Sequence, residues 1–257
     1  MSRAPRRAAL LAVGLALVLV APASVSATHS WGGYHWARTA NPFTVKLGDN
    51  VTSDWDSYLT VAASDWTASK VLVSTIVPGS AVKRLCSATN GTVQVCNSKY
   101  GNNGWLGVAQ IWVSGSHIGK ATVKLNDTYF VTATYNTPDW RQMVMCQEIG
   151  HTFGLDHQDV DFSNPNLGTC MDYTSNPSGN THPNQHDYDE LGIIYSHLDS
   201  TTTLASATTS KGGPSGNAAP AAWGRLVAVT DGGHGATYLL DLGAGNLVLT
   251  HVLWAGR

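Results

Sequence analysis

The residues of this chain whose types and spacing could do the most specific chemistry lie between Gln147 and His157, in the sequence QEIGHTFGLDH. Residues four apart share one face of a helix, so Gln147 and His151 would project together, with Glu148 beside them. Gly154 would let the chain leave the helix in a left-handed conformation, which allows His157 to return toward the same point. The pattern therefore brings together two imidazoles and a carboxylate, groups that can bind a metal ion and move a proton.

A helix has to hold this segment. Pro138-Asp139 is a helix start signal and Gly154 a natural stop, and the apolar residues between them recur at helix spacing. A long loop follows, with several proline turn signals, and loops of that length in a compact domain are commonly functional. A second helix is predicted from about Asp187 to Leu198 by its apolar face.

The chain before the first of these helices is predicted to form a mixed sheet with one helix. Phe43 to Leu47 alternates like a strand, and Ser53-Asp54 precedes an apolar stripe at helix spacing. Runs rich in β-branched and apolar residues then predict four further strands. These strands are residues 71–77, 92–96, 106–113 and 118–125.

Both ends of the chain differ in character from this central part. Residues 1–27 combine an arginine-rich start, an apolar run too short to span a bilayer and a small-x-Ala cleavage pattern, so they predict a signal peptide. Residues 28–42 are a short N-terminal segment. Residues 200–222 are rich in Ser, Thr, Gly, Ala and Pro and predict a flexible linker. Residues 223–257 contain three short strand patterns and predict a small β tail.

Composition excludes some functions. Hydrophobic residues make up 43% of the 257 residues, which argues against a disordered chain. Charged residues make up only 12%, and the formal net charge of −2 gives no basic surface for nucleic acid. After signal cleavage no segment remains that could cross a membrane, so we expect a secreted, extracellular monomer.

At Glu148, His151, Gly154 and His157 the sequence resembles the metzincin clan of zinc metalloproteases, and it looks most like the matrixin branch. The turn Thr169–Tyr173, with its methionine, matches the Met-turn of that clan. The resemblance covers about residues 43–199. It implies an α+β domain with a mixed five-stranded sheet, an active-site helix, a Met-turn and a C-terminal helix.

Gln147 is a departure from the clan signature, which has its first zinc-binding histidine at this position. Three ways to complete the set of zinc ligands are open. Gln147 could ligate through its neutral side-chain oxygen, which would lower the affinity for zinc. Tyr173 could help, because some families of the clan carry a tyrosine at this spacing that reaches the zinc or the oxyanion. A histidine from elsewhere could also substitute: His35, His182 or His186.

The resemblance implies a secreted zinc-dependent endopeptidase that acts on a polypeptide substrate. Gln147, His151 and His157 would hold Zn²⁺, Glu148 would be the general base, and Tyr173 would stabilise the oxyanion. The alternative is a catalytically inactive pseudoprotease or a secreted binding module that retains the fold. Residues 104–110 resemble the strand that borders the substrate cleft, where an extended peptide could pair with the sheet edge; an ordinary core strand is the other interpretation.

The four cysteines allow three pairings in an oxidising compartment. We favour Cys86–Cys96 across a short polar loop and Cys146–Cys170. In the light of the resemblance, the second bridge would join the active-site helix to the Met-turn. Oxygen ligands cluster after the helix and could bind structural Ca²⁺, although they lack the EF-hand pattern and a solvated turn is the simpler interpretation. They are Asp156, Asp159, Asp161, Asn164 and Asn166.

Overall fold

The computed structural model describes residues 29–204 and 222–256. The predicted signal peptide, and residues 205–221 of the predicted linker, lie outside these ranges. The described chain folds as a mixed α+β structure around one large sheet. Among the described residues, no helix has the length and hydropathy needed to cross a membrane.

Within the described residues, nine strands form the sheet. They are His35–Trp36, Phe43–Asn50, Leu72–Pro78, Thr92–Ser98, Trp105–Ser114, His117–Asn126, Arg225–Val229, Gly235–Gly243 and Asn246–Trp254, numbered β1 to β9 in that order. In spatial order they run β3-β2-β4-β6-β5-β9-β8-β7, with the short β1 also paired to β6. Strands β1–β4 and β6 are mutually parallel, whereas β5, β9, β8 and β7 continue the sheet with antiparallel pairing.

The prediction of a five-stranded sheet was wrong in its count. The five predicted strands are present as β2 to β6, but β1 and the three C-terminal strands join the same sheet. The reason is that β5 is antiparallel to β6 and leaves one edge open, and β9 fills that edge along its whole length. An unpaired row of backbone groups is a template for a further strand.

In the part of the chain that the structure describes, four α-helices accompany the sheet: α1 (Asp56–Thr67), α2 (Asp127–Phe130), α3 (Pro138–His151) and α4 (Gln185–Ile194). The last of these begins at Gln185 because Asn184 and Asp187 form a reciprocal capping box there. It ends earlier than predicted, since Tyr195 already leaves helical geometry. Helices α1 and α3 pack on the sheet through a core of buried aromatic and aliphatic side chains, including Trp36, Trp55, Trp66 and Met143.

Both predicted disulfides are confirmed. Cys86–Cys96 links the loop before β4 to that strand, with a Cα–Cα distance of 5.9 Å. Cys146–Cys170 joins α3 to the Met-turn segment, with a Cα–Cα distance of 6.0 Å. Among the described residues there are no free cysteines.

Candidate active site

Helix α3 carries the predicted site residues in its last two turns. Its start is fixed by Thr137, whose side chain accepts a hydrogen bond from the Trp140 backbone, and by Pro138 in the first turn. From Gln142 to His151 every residue is buried. Gly150 is needed here, because a Cβ at this position would lie 2.7 Å from the Met171 sulfur. The Met-turn therefore packs directly against the end of α3.

Gly154 reverses the chain after α3, with φ of +97°. This is the left-handed conformation that glycine adopts readily. The reversal brings His157 back to His151, so that their Nε2 atoms lie 3.2 Å apart. The return predicted from the sequence thus brings the two imidazoles together, with their ring planes inclined by 68°.

The contacts of these two histidines leave His151 Nε2 as an acceptor directed at His157 Nε2. His151 Nδ1 lies 2.9 Å from the Leu155 carbonyl oxygen, which can only accept, so Nδ1 carries the proton. His157 Nδ1 lies 3.3 Å from the Asp156 carboxylate. Burial lowers the pKa of His157 to about 4 and holds the pKa of His151 well below its usual range. Both rings are therefore neutral near pH 7, the form that binds metal ions.

His251 on β9 joins this pair, and the sequence interpretation missed it. Its ring centroid lies 4.0 Å from that of His151 and 4.8 Å from that of His157. One nitrogen from each of the three histidines lies within 4.8 Å of the others. The available signal was a single histidine inside the otherwise apolar and neutral strand NLVLTHVLW. We refer to His151, His157 and His251 as the first cluster.

The three histidines proposed from the sequence as replacement ligands lie elsewhere. His182 is 58% exposed at its side chain and pairs with Asp65 at 2.7 Å. His35 lies beside Asp199 at 3.5 Å. His186 stacks on His29.

Gln147 is completely buried on the face of α3 that also carries His151. Its Nε2 donates a hydrogen bond of 2.9 Å to the Cys170 carbonyl, which fixes the orientation of the amide. The other end, Oε1, is buried without a hydrogen-bond partner. A buried carbonyl oxygen of this kind costs free energy unless something binds it, so its chemistry fits a metal ligand.

Glu148 is also completely buried. Its Oε2 lies 3.3 Å from His251 Nδ1, and its Oε1 has no hydrogen-bond partner. Burial raises its pKa, opposed by His251 and by the Ala109 backbone. Gly107 on β5 makes room for the carboxylate, because a Cβ there would lie 2.5 Å from Oε1.

Tyr173 completes this group. Its ring stacks on His157 with a centroid distance of 3.9 Å, and its hydroxyl lies 2.8 Å from His251 Nε2. Burial holds the pKa of this phenol well above its usual range, so it remains a hydrogen-bond donor at neutral pH. Gly235 of β8 packs so closely on the ring that any side chain there would collide with it.

Most of the predicted calcium ligands are used in local hydrogen bonds, whereas Asn164 Oδ1 is buried without a hydrogen-bond partner. Asp159 and Asp161 accept hydrogen bonds from backbone N–H groups two residues ahead, and Asn166 donates to Asn176 and Ser178. Among the described residues, they are not part of any group of three metal-type side chains. The structure gives no support to a calcium site here.

Comparison with known proteins gives little further guidance. No family model matches the chain, and no curated protein matches its sequence. Among solved structures the chain is similar to high choriolytic enzyme 1, a hatching enzyme zinc-protease from Oryzias latipes (medaka fish). That similarity has a TM-score of 0.36 at 8% identity and covers 65% of this chain and 96% of the other. It is too weak to assign a family, so the functional argument rests on the site itself.

Proposed function

We propose that the chain is a secreted, zinc-dependent endopeptidase with its active site at the end of α3. The observation that carries this proposal is the convergence of the His151 and His157 Nε2 atoms at 3.2 Å, beside the buried carboxylate of Glu148. Two imidazole nitrogens at this distance share either a proton or a metal cation. Neutral imidazoles are preferred zinc ligands.

Three protein ligands are the number that a catalytic zinc site uses. His151 and His157 supply two, and Gln147 Oε1, buried without a hydrogen-bond partner, supplies the third in this proposal. The Cys170 carbonyl holds the glutamine amide in one orientation, so the oxygen is positioned before any ion binds. A zinc ion bound there would lower the pKa of a water molecule and polarise the carbonyl of a peptide bond.

Glu148 and Tyr173 supply the proton chemistry. A buried carboxylate with a raised pKa can take the proton of the attacking water and deliver it to the leaving amine. The phenol of Tyr173 keeps its proton at neutral pH and can donate a hydrogen bond to the developing oxyanion. We therefore propose a polypeptide as the substrate class. An extended peptide would pair with the edge of β5 that β9 covers, once that edge is free.

Extracellular localisation is part of the proposal. Two disulfides are typical of proteins that mature in an oxidising compartment. The N-terminal signal pattern of residues 1–27 supports the same destination. We also propose that the chain acts as a monomer.

A second candidate is a non-catalytic module that retains this fold. The observation in its favour is that Glu148 and His151 are 0% exposed, and Tyr173 and His251 are 1% exposed. In the described arrangement a polypeptide cannot reach the carboxylate. An endopeptidase would have to open, whereas a binding module would stay closed.

Zinc content and hydrolysis of a denatured protein separate these candidates. Both are measured in the wild-type chain and in a chain carrying His251→Ala, which removes the side chain that covers Glu148. In whichever of these two chains hydrolyses the protein faster, an added Glu148→Gln should abolish hydrolysis and keep the zinc. Glu190→Gln, which alters the other buried glutamate, should keep both. The endopeptidase is excluded if stoichiometric zinc is absent, or if Glu148→Gln hydrolyses as fast as its parent in both backgrounds.

A further inference from the structure

Strand β9 lies where an extended substrate would lie. It pairs antiparallel with β5 from Trp105–Trp254 at one end to Ser114–Asn246 at the other. Residues 104–110, which form the start of β5, are the part of the chain that the sequence suggested as the border of a substrate cleft. The backbone groups that a peptide would use are therefore already bonded to the chain's own C-terminal segment.

His251 is the side chain that this strand directs into the first cluster. It touches both groups assigned to proton chemistry, with Nδ1 3.3 Å from Glu148 and Nε2 2.8 Å from Tyr173. It also lies against His151, at a ring distance of 4.0 Å. Apart from α3 with its following loop, which carries His151 and His157, β9 is the only described segment that contributes to the first cluster.

Residues 223–256, which contain strands β7 to β9 and which we call the C-terminal hairpin, are held in this position at several points. Trp223 and Val252 pack with Tyr100, Trp105 and Val108 in a second apolar cluster. The Ala255 and Gly256 backbone N–H groups donate to the Gly104 carbonyl and to the Tyr135 hydroxyl, at 2.7 and 2.6 Å. The hairpin is thus packed on the domain, although residues rich in Ser, Thr, Gly and Ala connect it to α4.

We propose that the C-terminal hairpin is a built-in inhibitor, and that His251 is a fourth ligand to the metal of the proposed site. This rests on the proposed function. Binding requires His251 Nε2 to exchange its hydrogen bond with the Tyr173 hydroxyl for the metal. Gln147, His151, His157 and His251 would then form a closed four-ligand set, which is characteristic of a site without turnover. When the hairpin leaves, three protein ligands, one open position and the free edge of β5 remain.

The test compares His251→Ala with His234→Ala. His234 also lies on the hairpin segment, where it stacks on Phe162 at 4.1 Å, but it is outside the first cluster. Cobalt(II) replaces zinc, because its visible absorption reports the number and type of ligands. We expect His251→Ala to change this spectrum and to raise hydrolysis of a denatured protein by tenfold or more, while His234→Ala changes neither.

Two results would overturn this inference. If His251→Ala loses both the bound metal and hydrolysis, His251 is an essential third ligand and not an inhibitor. If spectrum and hydrolysis both match the wild type, His251 does not touch the metal. Hydrolysis that persists in the double variant Glu148→Gln, His251→Ala would instead contradict the proposed function, so the two failures are distinguishable.

A different observation concerns His29, His186 and Asp187, which we call the second cluster. Each of these residues has one buried polar atom without a hydrogen-bond partner: His29 Nε2, His186 Nδ1 and Asp187 Oδ1. His29 Nε2 and Asp187 Oδ1 are 3.6 Å apart, and the two imidazole rings stack at 4.9 Å. Ligand atoms of the three residues lie within 4.8 Å of one another.

The remaining polar atoms of this cluster are already fixed. His29 Nδ1 lies 2.8 Å from the Asp156 carbonyl, so it carries the proton and leaves Nε2 as a bare acceptor. Asp187 Oδ2 accepts from Thr169 and from the Asn184 backbone. Two buried acceptors, His29 Nε2 and Asp187 Oδ1, thus face each other beside the unpartnered His186 Nδ1, and this arrangement is costly without a proton or a metal cation to bridge them. A tetrahedral zinc site with bonds of about 2.1 Å separates its ligand atoms by about 3.4 Å, close to the 3.6 Å observed.

From this geometry we infer a second, structural metal site in the second cluster, suited to Zn²⁺ or a similar ion that prefers nitrogen with one oxygen ligand. A metal there would tie the segment before β1 to the first turn of α4. It would also support the loop that carries His157, because the Asp156 backbone bonds His29 in both directions. This inference does not depend on the proposed function.

Metal counting tests the second site. The zinc-loaded wild type should contain two ions per chain by mass spectrometry of the metal, and His186→Ala should contain one and melt at a lower temperature. His182→Ala, a solvent-exposed histidine, should keep two ions and the wild-type melting temperature. The inference is overturned if His186→Ala binds as many ions as the wild type, since the His29–Asp187 contact is then a simple ion pair.

Discussion

The first and second clusters use the same type of side chain in different settings. Both collect buried imidazole nitrogens within 4.8 Å. In the first, Glu148 has a carboxylate oxygen without a hydrogen-bond partner and Tyr173 has a protonated hydroxyl beside the rings. In the second, the only carboxylate is Asp187, which is itself one of the convergent groups and caps α4. Convergent metal-type residues therefore indicate a candidate metal site. A base that is not needed as a ligand distinguishes a candidate catalytic site from one that only binds metal.

The largest expected effect separates the two clusters. His151→Ala removes a nitrogen from the first cluster and leaves the second intact, so the zinc content should fall from two ions to one and hydrolysis should be lost. Without His151, only two imidazoles and the weaker neutral oxygen of Gln147 remain, which is too weak a ligand set to retain zinc. His182→Ala is the control. Retention of both ions by His151→Ala would show that the first cluster does not bind metal.

The second prediction concerns the bridge beneath the first cluster. Replacing Cys146 and Cys170 by Ser should lower the free energy of unfolding by about 3 kcal/mol, because the bridge closes a loop of 24 residues. Replacing Cys86 and Cys96 should cost about 1 kcal/mol less, because that loop is 10 residues. Denaturant unfolding of the two variants measures the difference. Equal losses would mean that strain or residual structure outweighs loop length.

Gly107→Ala should lower the rate of hydrolysis without changing the number of bound zinc ions. The added Cβ would press on Glu148 Oε1 at 2.5 Å and on Val144 at 2.7 Å, and a displacement of about 1 Å at a catalytic group can cost about 100-fold in rate. The matched control is Gly119→Ala on β6, whose Cβ would meet nothing closer than 4.0 Å. Both variants should keep two zinc ions. A Gly107→Ala chain with full hydrolysis would show that Glu148 need not hold its observed position.

The contrast between the clusters also shows what a sequence can predict. Strands β2 to β6, helix α3 and the chain reversal at Gly154 followed from local patterns, because periodicity and turn chemistry act over a few residues. The strand pattern of β9 was also visible. Its partner was not, since pairing with β5 is a contact between distant segments, and His251 was missed with it. The second cluster has no motif at all, because His29 and Asp187 meet only through the fold.

Gln147→His sharpens the assignment within the first cluster. If the buried Oε1 of Gln147 faces the metal, an imidazole in its place should raise zinc affinity about tenfold or more, which corresponds to about 1.4 kcal/mol. Competition with a chelator of known affinity measures the change. The zinc affinity of the second cluster should not change. An unchanged affinity at the first cluster would point to His251 as the third ligand.

The smallest effect is expected at a third group of metal-type residues, which lacks the open acceptors of the other two. His35, His117 and Asp199 lie close together, but the Asp199 carboxylate already accepts hydrogen bonds from the Arg38 backbone and from its guanidinium, at 3.1 and 3.0 Å. Burial raises the pKa of this carboxyl, but the Arg38 backbone hydrogen bond and the His35 and His117 imidazoles outweigh it and hold the pKa at about 2. We therefore interpret this group as an ion-pair network.

Asp199→Asn should leave the zinc content at two ions and change only stability. Because the folded pKa of about 2 lies below the ordinary value of 3.8, the carboxylate stabilises the fold fully above pH 3.8 and loses this effect as the pH falls toward 2. The wild type should therefore be more stable than Asp199→Asn at pH 6, and the difference should shrink through that acidic window. Asp189→Asn, an exposed position on α4, should show no such trend. A pH-independent difference in stability would mean that the amide disturbs packing. Loss of a zinc ion would place Asp199 among the metal ligands. It would also remove the distinction between this hydrogen-bonded group and the two clusters that have acceptors without hydrogen-bond partners.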